Sequence, residues 1–404
     1  MIDRRECGTR RLCFLLGAGV SVSAGFPPTD TITNRVRGKE PIIRGINETH
    51  IWSRTAANRH VHGDGADRAG EAIETVADML WGGNQCPNYE DLYFAVNEIY
   101  EHLRYNYDNP CLEPLIAGLM EKVDWGDVNR DPREGLEDAA SEACDLIRSV
   151  VARSLSGTPE PTHLNLLIDI IRARQFQRVD IFTLNHDRHI ETALQEAKLA
   201  YEDGFRPIGH KDVHAWSLDC LEQDSSYVTV CKLHGSVDWY RAQIEGYCFE
   251  DVLIRTPTRD NVEHLGQFEL PQGRSRPYIS PDNRQILVGR HNKILSYTNG
   301  WYLELYYWFK RRIEHADVLV VSGYSFGDKG INSAIIDAFA PRDPRKLLIV
   351  IDPSDESALL EKARYAIAGK WNMLKSRGLL TYVQRGFGSV KLEDLQQEAR
   401  RWYH

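Results

Sequence analysis

The chain lacks any uninterrupted apolar stretch near the roughly 20 residues that a membrane-spanning helix needs, so no membrane anchor or membrane partner is expected. It also lacks a C-x-x-C pair. Its eight cysteines, Cys7, Cys13, Cys86, Cys111, Cys144, Cys220, Cys231 and Cys248, are scattered, and they read as reduced, mostly buried thiols rather than zinc ligands. An excess of positive charge is missing too: with 49 Lys and Arg against 58 Asp and Glu the formal net charge is -9, which argues against whole-molecule attraction to nucleic acid, and direct nucleic-acid binding is not expected. There are no internal repeats and no low-complexity tracts. Basic residues precede a short apolar run at the start, MIDRRECGTRRLCFLLGAGV, as in a signal peptide. That run breaks into glycine, as a strand entering a phosphate loop does, and the cytoplasm is the compartment expected.

What is present is an ordinary globular composition, 42% hydrophobic and 26% charged, over 404 residues. That length exceeds what one core usually organises, so two lobes are expected. Short, continuously apolar runs, LCFLL (Leu12–Leu16), VDIFTL (Val179–Leu184), YVTVCKL (Tyr227–Leu233), ADVLVVS and KLLIVID, suit parallel strands buried on both faces. They alternate with helical patterns such as THLNLLIDIIRAR and the stretch Trp301–Ile313. The expected class is α/β, a Rossmann-like doubly wound, mostly parallel sheet formed by residues 1–36 and 162–404, with residues 37–161 as a large helical insertion. Within the insertion, Glu90, Asp91 and Tyr93 are candidates to face a pocket, beside plain core or surface roles. Pro, Gly and Arg punctuate Asp238–Arg290, which reads as a loop or small β excursion suited to covering a ligand.

Polar motifs stand at the strand ends, where open α/β sheets place ligand contacts. GAGVSVSAGFP (Gly17–Pro27) follows the first strand, and its small residues would let backbone N–H groups close on a pyrophosphate; a tight turn with no ligand is the other reading. In TLNHD (Thr183–Asp187), Asn185 offers a donor and an acceptor to a ribose hydroxyl or a water, while helix capping serves equally to explain Asn185 and Asp187. In KLHGS (Lys232–Ser236) a histidine able to exchange protons near neutral pH, His234, follows the strand. Among the 14 histidines, His186, His189, His210 and His214 have no comparable setting and read as surface or structural. VSGYSFGD (Val321–Asp328) and VIDP (Val350–Pro353) bring Gly323, Ser325 and Asp352 to two further strand ends, suited to phosphate and adenosine contacts, Asp352 by position to a ribose hydroxyl.

Taken in order, GAGVSVSAGFP, TLNHD, KLHGS and GYSFGD resemble the motifs of the sirtuin superfamily, over roughly residues 12–36 and 179–355. The resemblance implies NAD⁺ binding by Gly17, Ala18, Gly19, Ser21, Phe26, Pro27, Thr183, Asp187, Gly323, Ser325 and Asp352, with Asn185 and His234 catalytic, His234 as the base. Sirtuin deacetylases carry a four-cysteine zinc module and T-Q-N-x-D, whereas this chain has no such cysteines and reads T-L-N-H-D. GYSFGDKGIN and the helical insertion more closely resemble the SIR2-like, NAD-hydrolysing domains of prokaryotic antiphage defence proteins. That resemblance implies an NAD⁺ hydrolase that releases nicotinamide and ADP-ribose and starves the infected cell in abortive infection. NAD⁺ is then substrate, and no zinc or other metal is expected. It also implies a homo-oligomer and an activating partner such as a HerA-type ATPase. Two other functions fit the same motifs: a zinc-free NAD-dependent protein deacylase, in which His234 activates a ribose hydroxyl, and a non-catalytic NAD or ADP-ribose sensor.

Overall fold

The structure, a computed structural model, describes residues 10–39, 64–82, 86–106, 108–123, 125, 131–157, 162–207, 213–223, 226–244, 251–256, 277–289, 293, 297–298, 300–339 and 346–402. The chain divides into two compact units. The first comprises Met1–Phe26, Ser156–Leu287 and Lys293–His404, the second Pro27–Leu155 and Val288–Asn292. The strands in chain order are β1 (Arg11–Leu16), β2 (Arg178–Thr183), β3 (Phe205–Pro207), β4 (His214–Trp216), β5 (Val228–Lys232), β6 (Gly235–Ile244), β7 (Asp251–Arg255), β8 (Pro277–Ile286), β9 (Val318–Ser322), β10 (Leu347–Ile351) and β11 (Leu380–Val383).

In the first unit, β1, β9 and β10 are nearly all apolar, so neither face tolerates water and both must be covered. They lie in a six-stranded sheet of order β11-β10-β9-β1-β2-β5, with every neighbouring pair parallel. The chain starts at β1, moves outward through β2 and β5, then returns to the other side of β1 with β9, β10 and β11. This is the doubly wound, Rossmann-like order, and its direction reverses between β1 and β9. Alternate residues serve opposite faces. Cys13, Leu15, Leu319, Val321 and Val350 pack with Phe309, Ile335 and Trp371 of the helices Gly300–Glu314, Lys329–Phe339 and Ile367–Ser376. Leu12, Phe14, Leu16, Val320 and Ile349 pack with Ile171 and Ile190 of the helices Asn165–Ala173 and His189–Glu196. Each such large side chain contributes about 1.5–3 kcal/mol when fully buried. On β2, Asp180 breaks the apolar pattern: it is 1% exposed, gripped by Arg312 Nε and Nη2 at 2.9 and 2.8 Å, with Arg178 Nε at 3.0 Å and Thr229 Oγ1 at 2.6 Å.

A second, antiparallel sheet of order β3-β4-β7-β6-β8 also belongs to the first unit. The described part of Asp238–Arg290, read from its punctuation as loop or small β excursion, supplies most of it, with Trp239, Tyr240, Leu253 and Ile254 buried. The punctuated segments RTPTRD and PQGRSR fall largely outside the described residues. No helix among the described residues is long and apolar enough to cross a membrane.

The second unit is helical: Thr29–Val36, Asp64–Trp81, Tyr89–Leu103, Glu113–Lys122 and Pro132–Ser154. The helix Thr29–Val36, which the sequence reading grouped with the sheet, lies in this unit. Asn88 caps Tyr89–Leu103 by accepting from Glu90 N and Asp91 N, and Asp91 closes the capping box; Asp131 caps the helix that opens on Pro132. Ala139, Ala143, Ile147 and Val150 form an apolar stripe at helical spacing, all fully buried. Tyr93 is buried, its phenol pushed up to about 12 by that burial.

Candidate active site

Parallel register brings the strand ends into one row. Leu16 pairs with Thr183 and Ser322, Thr183 with Lys232, and Ser322 with Ile351. Gly17, Leu184, Leu233, Gly323 and Asp352 therefore each stand one residue past that row, at the carboxyl edge of the sheet. The loops after β1 and β9 meet through their backbones: Gly17 N–H donates to Ser322 O and Gly19 N–H to Gly323 O, both at 2.9 Å. A Cβ on Gly17 would lie 2.4 Å from Gly323 O, and one on Gly323, where φ is +63°, would lie 2.4 Å from Val20 N. The neighbouring loop therefore demands glycine here, whether or not a ligand is bound, and it takes up these two N–H groups. Ala18 and Gly19 remain exposed.

Asn185 is tied to the same loop. Its Nδ2 donates to Gly17 O at 3.0 Å and to Ser21 Oγ at 2.9 Å, and its own N–H donates to Thr183 Oγ1, which in turn donates to Leu16 O. Those two Nδ2 bonds fix the amide's orientation. Asn185 Oδ1 is left buried without a hydrogen-bond partner, although an unpaired buried acceptor costs about 1–3 kcal/mol. Of the two residues for which capping was the other reading, Asp187 accepts on Oδ1 from His189 N at 3.0 Å, just ahead of the helix His189–Glu196, whose N-cap position is Arg188. Burial raises the Asp187 pKa, against the lowering effects of Lys232, the His189 N–H and Ser21. Lys232 is itself buried, donating to Asp187 O and standing 3.1 Å from Glu191.

Two residues past Lys232, as Asn185 is two past Thr183, stands His234, 3% exposed. Gly235 after it has φ +79°, and a Cβ there would lie 2.0 Å from Gln285 O, so the turn from β5 into β6 admits only glycine. His234 Nε2 is 2.8 Å from Tyr297 Oη and 3.3 Å from Asp328 Oδ2. Burial pushes the Asp328 pKa up, but the hydrogen bond and charge of His234, the charge of Lys293 and the Ile331 N–H outweigh it and hold the carboxyl at about 2. The His186 ring lies 6.3 Å from that of His234 and is buried; burial first, then the charges of His234, Lys293 and Lys232, push it well below the usual 6.5.

The structure thus joins Gly17, Ser21, Thr183, Asn185 and Gly323 by direct contact, and sets His234 at the matching level of the next strand. Phe26 packs edge-on against His189, with ring centroids 5.6 Å apart. Ser325 is exposed, Asp352 turns its carboxylate to the Ser354 N–H, and Pro27 opens the second unit. Sequence reasoning passed over Tyr297, gave Asp328 no role of its own and set His186 aside as surface or structural. Asp328 lies inside a quoted motif and His186 beside Asn185, so both carried a strand-end signal. His186 is not a surface residue, and His189 is buried and stacked on His163; His214 lies in β4, and His210 lies outside the described residues. Among the described residues no group of three or more His, Cys, Asp or Glu side chains gathers to hold a metal ion, and the described cysteines are free, with Cys13, Cys144, Cys220 and Cys231 buried.

No curated protein matches the chain. Similar solved structures include a Sir2 homologue variant in complex with ADP-ribose, at 13% identity and a TM-score of 0.37, covering 100% of this chain and 97% of that one. A Sir2 homologue in complex with NAD gives 14% identity and a TM-score of 0.37, covering 100% of this chain and 94% of that one. Residues 179–370, the stretch from β2 through the helix that holds Trp371's neighbours, match the family described as the SIR2-like domain.

Proposed function

We propose that the protein is an NAD⁺ glycohydrolase, cleaving the bond between nicotinamide and ribose to give nicotinamide and ADP-ribose. The observation that carries this reading is the orphaned Asn185 Oδ1, an acceptor locked in place at the strand-end row with no donor among the described residues. A ribose hydroxyl or the attacking water supplies the missing hydrogen bond. The water oxygen attacks the ribosyl carbon as the C–N bond breaks, nicotinamide leaves as a neutral heteroaromatic, and the water proton passes to His234. The exposed edge at Ala18 and Gly19, with Gly323 opposite, offers the surface for the phosphates, and Asp352 a contact for the adenosine ribose. The resemblance of the motifs to SIR2-like antiphage domains supports a role as a cytoplasmic effector that depletes NAD⁺, working as a homo-oligomer with an activating partner such as a HerA-type ATPase.

Nicotinamide release from NAD⁺ by the purified chain, alone and with candidate partners, tests the reading beside Asn185→Ala and His234→Ala. Loss of release in both variants, by at least about 100-fold, is expected for a positioning amide and a base. O-acyl-ADP-ribose formed from an acylated peptide would make it a deacylase, and tight NAD⁺ binding with no release under any condition a sensor.

A further inference from the structure

His234 Nε2 faces two oxygens, and those oxygens also bond each other: Tyr297 Oη donates to Asp328 Oδ2 at 2.9 Å. The hydroxyl proton therefore points to the carboxylate, and the phenolic oxygen has only lone pairs to offer at 2.8 Å. Nε2 must carry a hydrogen to meet it. We propose that Tyr297 and Asp328 are positioning residues that fix His234 in its Nε2-protonated tautomer, so that Nδ1 takes up the proton in the hydrolysis. This deepens the glycohydrolase reading and rests on His234 being its base. As Nδ1 gains the water proton the ring becomes an imidazolium, its Nε2–H still directed at Tyr297 and Asp328. Asp328 stays ionised, and no proton passes to it.

The clamp is held by the surrounding fold. Asp328 Oδ1 accepts from Gly330 N at 2.8 Å and Ile331 N at 3.1 Å, capping the helix Lys329–Phe339 and leaving Oδ2 for Tyr297 and His234. The Asp328 N–H donates to Tyr324 Oη at 3.1 Å. Phe326, fully buried, takes a left-handed φ of +55°, a cost the fold sustains because Asn332 Nδ2 binds its carbonyl at 2.8 Å. Tyr297 stacks on Tyr306 at 4.6 Å, and Tyr306 Oη donates to Gly330 O at 2.8 Å. Among the described residues, the titratable groups around the ring are Tyr297, Asp328 and His186, with the Lys293 charge acting on Asp328 and His186, Lys232 acting on His186, and Tyr306 and Tyr324 beside Asp328. Asp328 is the anion in this set, and it favours the imidazolium.

The test compares the full chain with Asp328→Asn, Tyr297→Phe and His234→Ala, by nicotinamide release against pH and by tautomer-resolving ¹⁵N NMR of labelled histidines, with His234→Ala assigning the signal. Asn preserves the cap, because its oxygen still accepts from the helix N–H groups. In the unaltered chain the expected neutral ring is protonated at Nε2. Asp328→Asn is expected to move the acidic limb of the pH profile down by about one unit, since an adjacent carboxylate no longer favours the charged ring. Its kcat falls by about tenfold or more, with KM little changed. Tyr297→Phe should weaken the tautomer preference at unchanged fold. A neutral ring protonated at Nδ1, or an Asp328→Asn profile that overlies the original, overturns the proposal. Turnover surviving in His234→Ala would instead remove the base reading, while the NMR result still decides the tautomer without any turnover.

Discussion

In the first unit, charged and polar side chains lie deep: Asp180, Asn185, His186, Asp187, Glu191, Lys232, His234, Asp238 and Asp328 are all buried, whereas the second unit buries, among its described residues, Thr33 and His102. The second unit keeps its charges in ion pairs nearer the surface, such as Arg37 with Glu74 and Arg133 with Glu113. Desolvating a polar group is unfavourable unless a partner is present, so a fold that buries many of them must also build their network. The difference teaches where to look for chemistry: the first unit holds the orphaned Asn185 acceptor and buried carboxylates and histidines with shifted titrations, whereas the second has apolar stripes in which a buried phenol such as Tyr93 is raised by desolvation.

The comparison breaks hardest on activity. Asn185→Ala and His234→Ala should remove nicotinamide release, whereas Ile147→Ala in the second unit should retain it wherever the protein remains folded. On stability the order changes. Arg312→Ala strips the bidentate partner from Asp180 and is expected to cost about 3–5 kcal/mol, as removal of one member of a buried ion pair does. Ile147→Ala opens an apolar cavity at a fully buried site and should cost about 2–5 kcal/mol, both read from urea unfolding. If Arg312→Ala is the milder, Arg178 and Thr229 suffice to hold the charge.

The smallest effect concerns pH. His163, stacked on His189 at 4.4 Å, is pushed by burial and then by His189 from 6.5 down to about 4, and His186 and His189 are also lowered, chiefly by burial. These three histidines therefore bind fewer protons in the folded than in the unfolded chain between those values, and their contribution lowers stability as the pH falls from about 6.5 towards 4. Thermal melting across that window should show the decline, and His163→Phe should reduce it.

Much of the sheet was legible because an apolar hexamer ending in glycine or a polar residue has few other solutions: β1, β2, β5, β9 and β10 fall within a residue or two of the runs read from the sequence. His234 and Asn185 were legible for the same reason, as polar residues just past buried strands. The Asp238–Arg290 region was not, since its pattern is broken by Pro and Gly, and the continuity of β6 with His234 depends on a turn at Gly235 that only the packed Gln285 backbone explains.

The sequence by itself determined that β1, β2, β5, β9 and β10 would be buried strands and which polar groups would stand at their ends, because a continuously apolar run closed by glycine or a polar residue settles both. Tertiary structure alone decided which ends become neighbours. The order β5-β2-β1-β9 brings Asn185 to the Gly17 loop and His234 beside β2, and the fold carries Tyr297 and Asp328, distant in sequence, onto one nitrogen of His234. It also assigned Gly17 and Gly323 to each other. Strand order and loop packing follow from crossovers and the shape of the whole core, and no local window of residues encodes them.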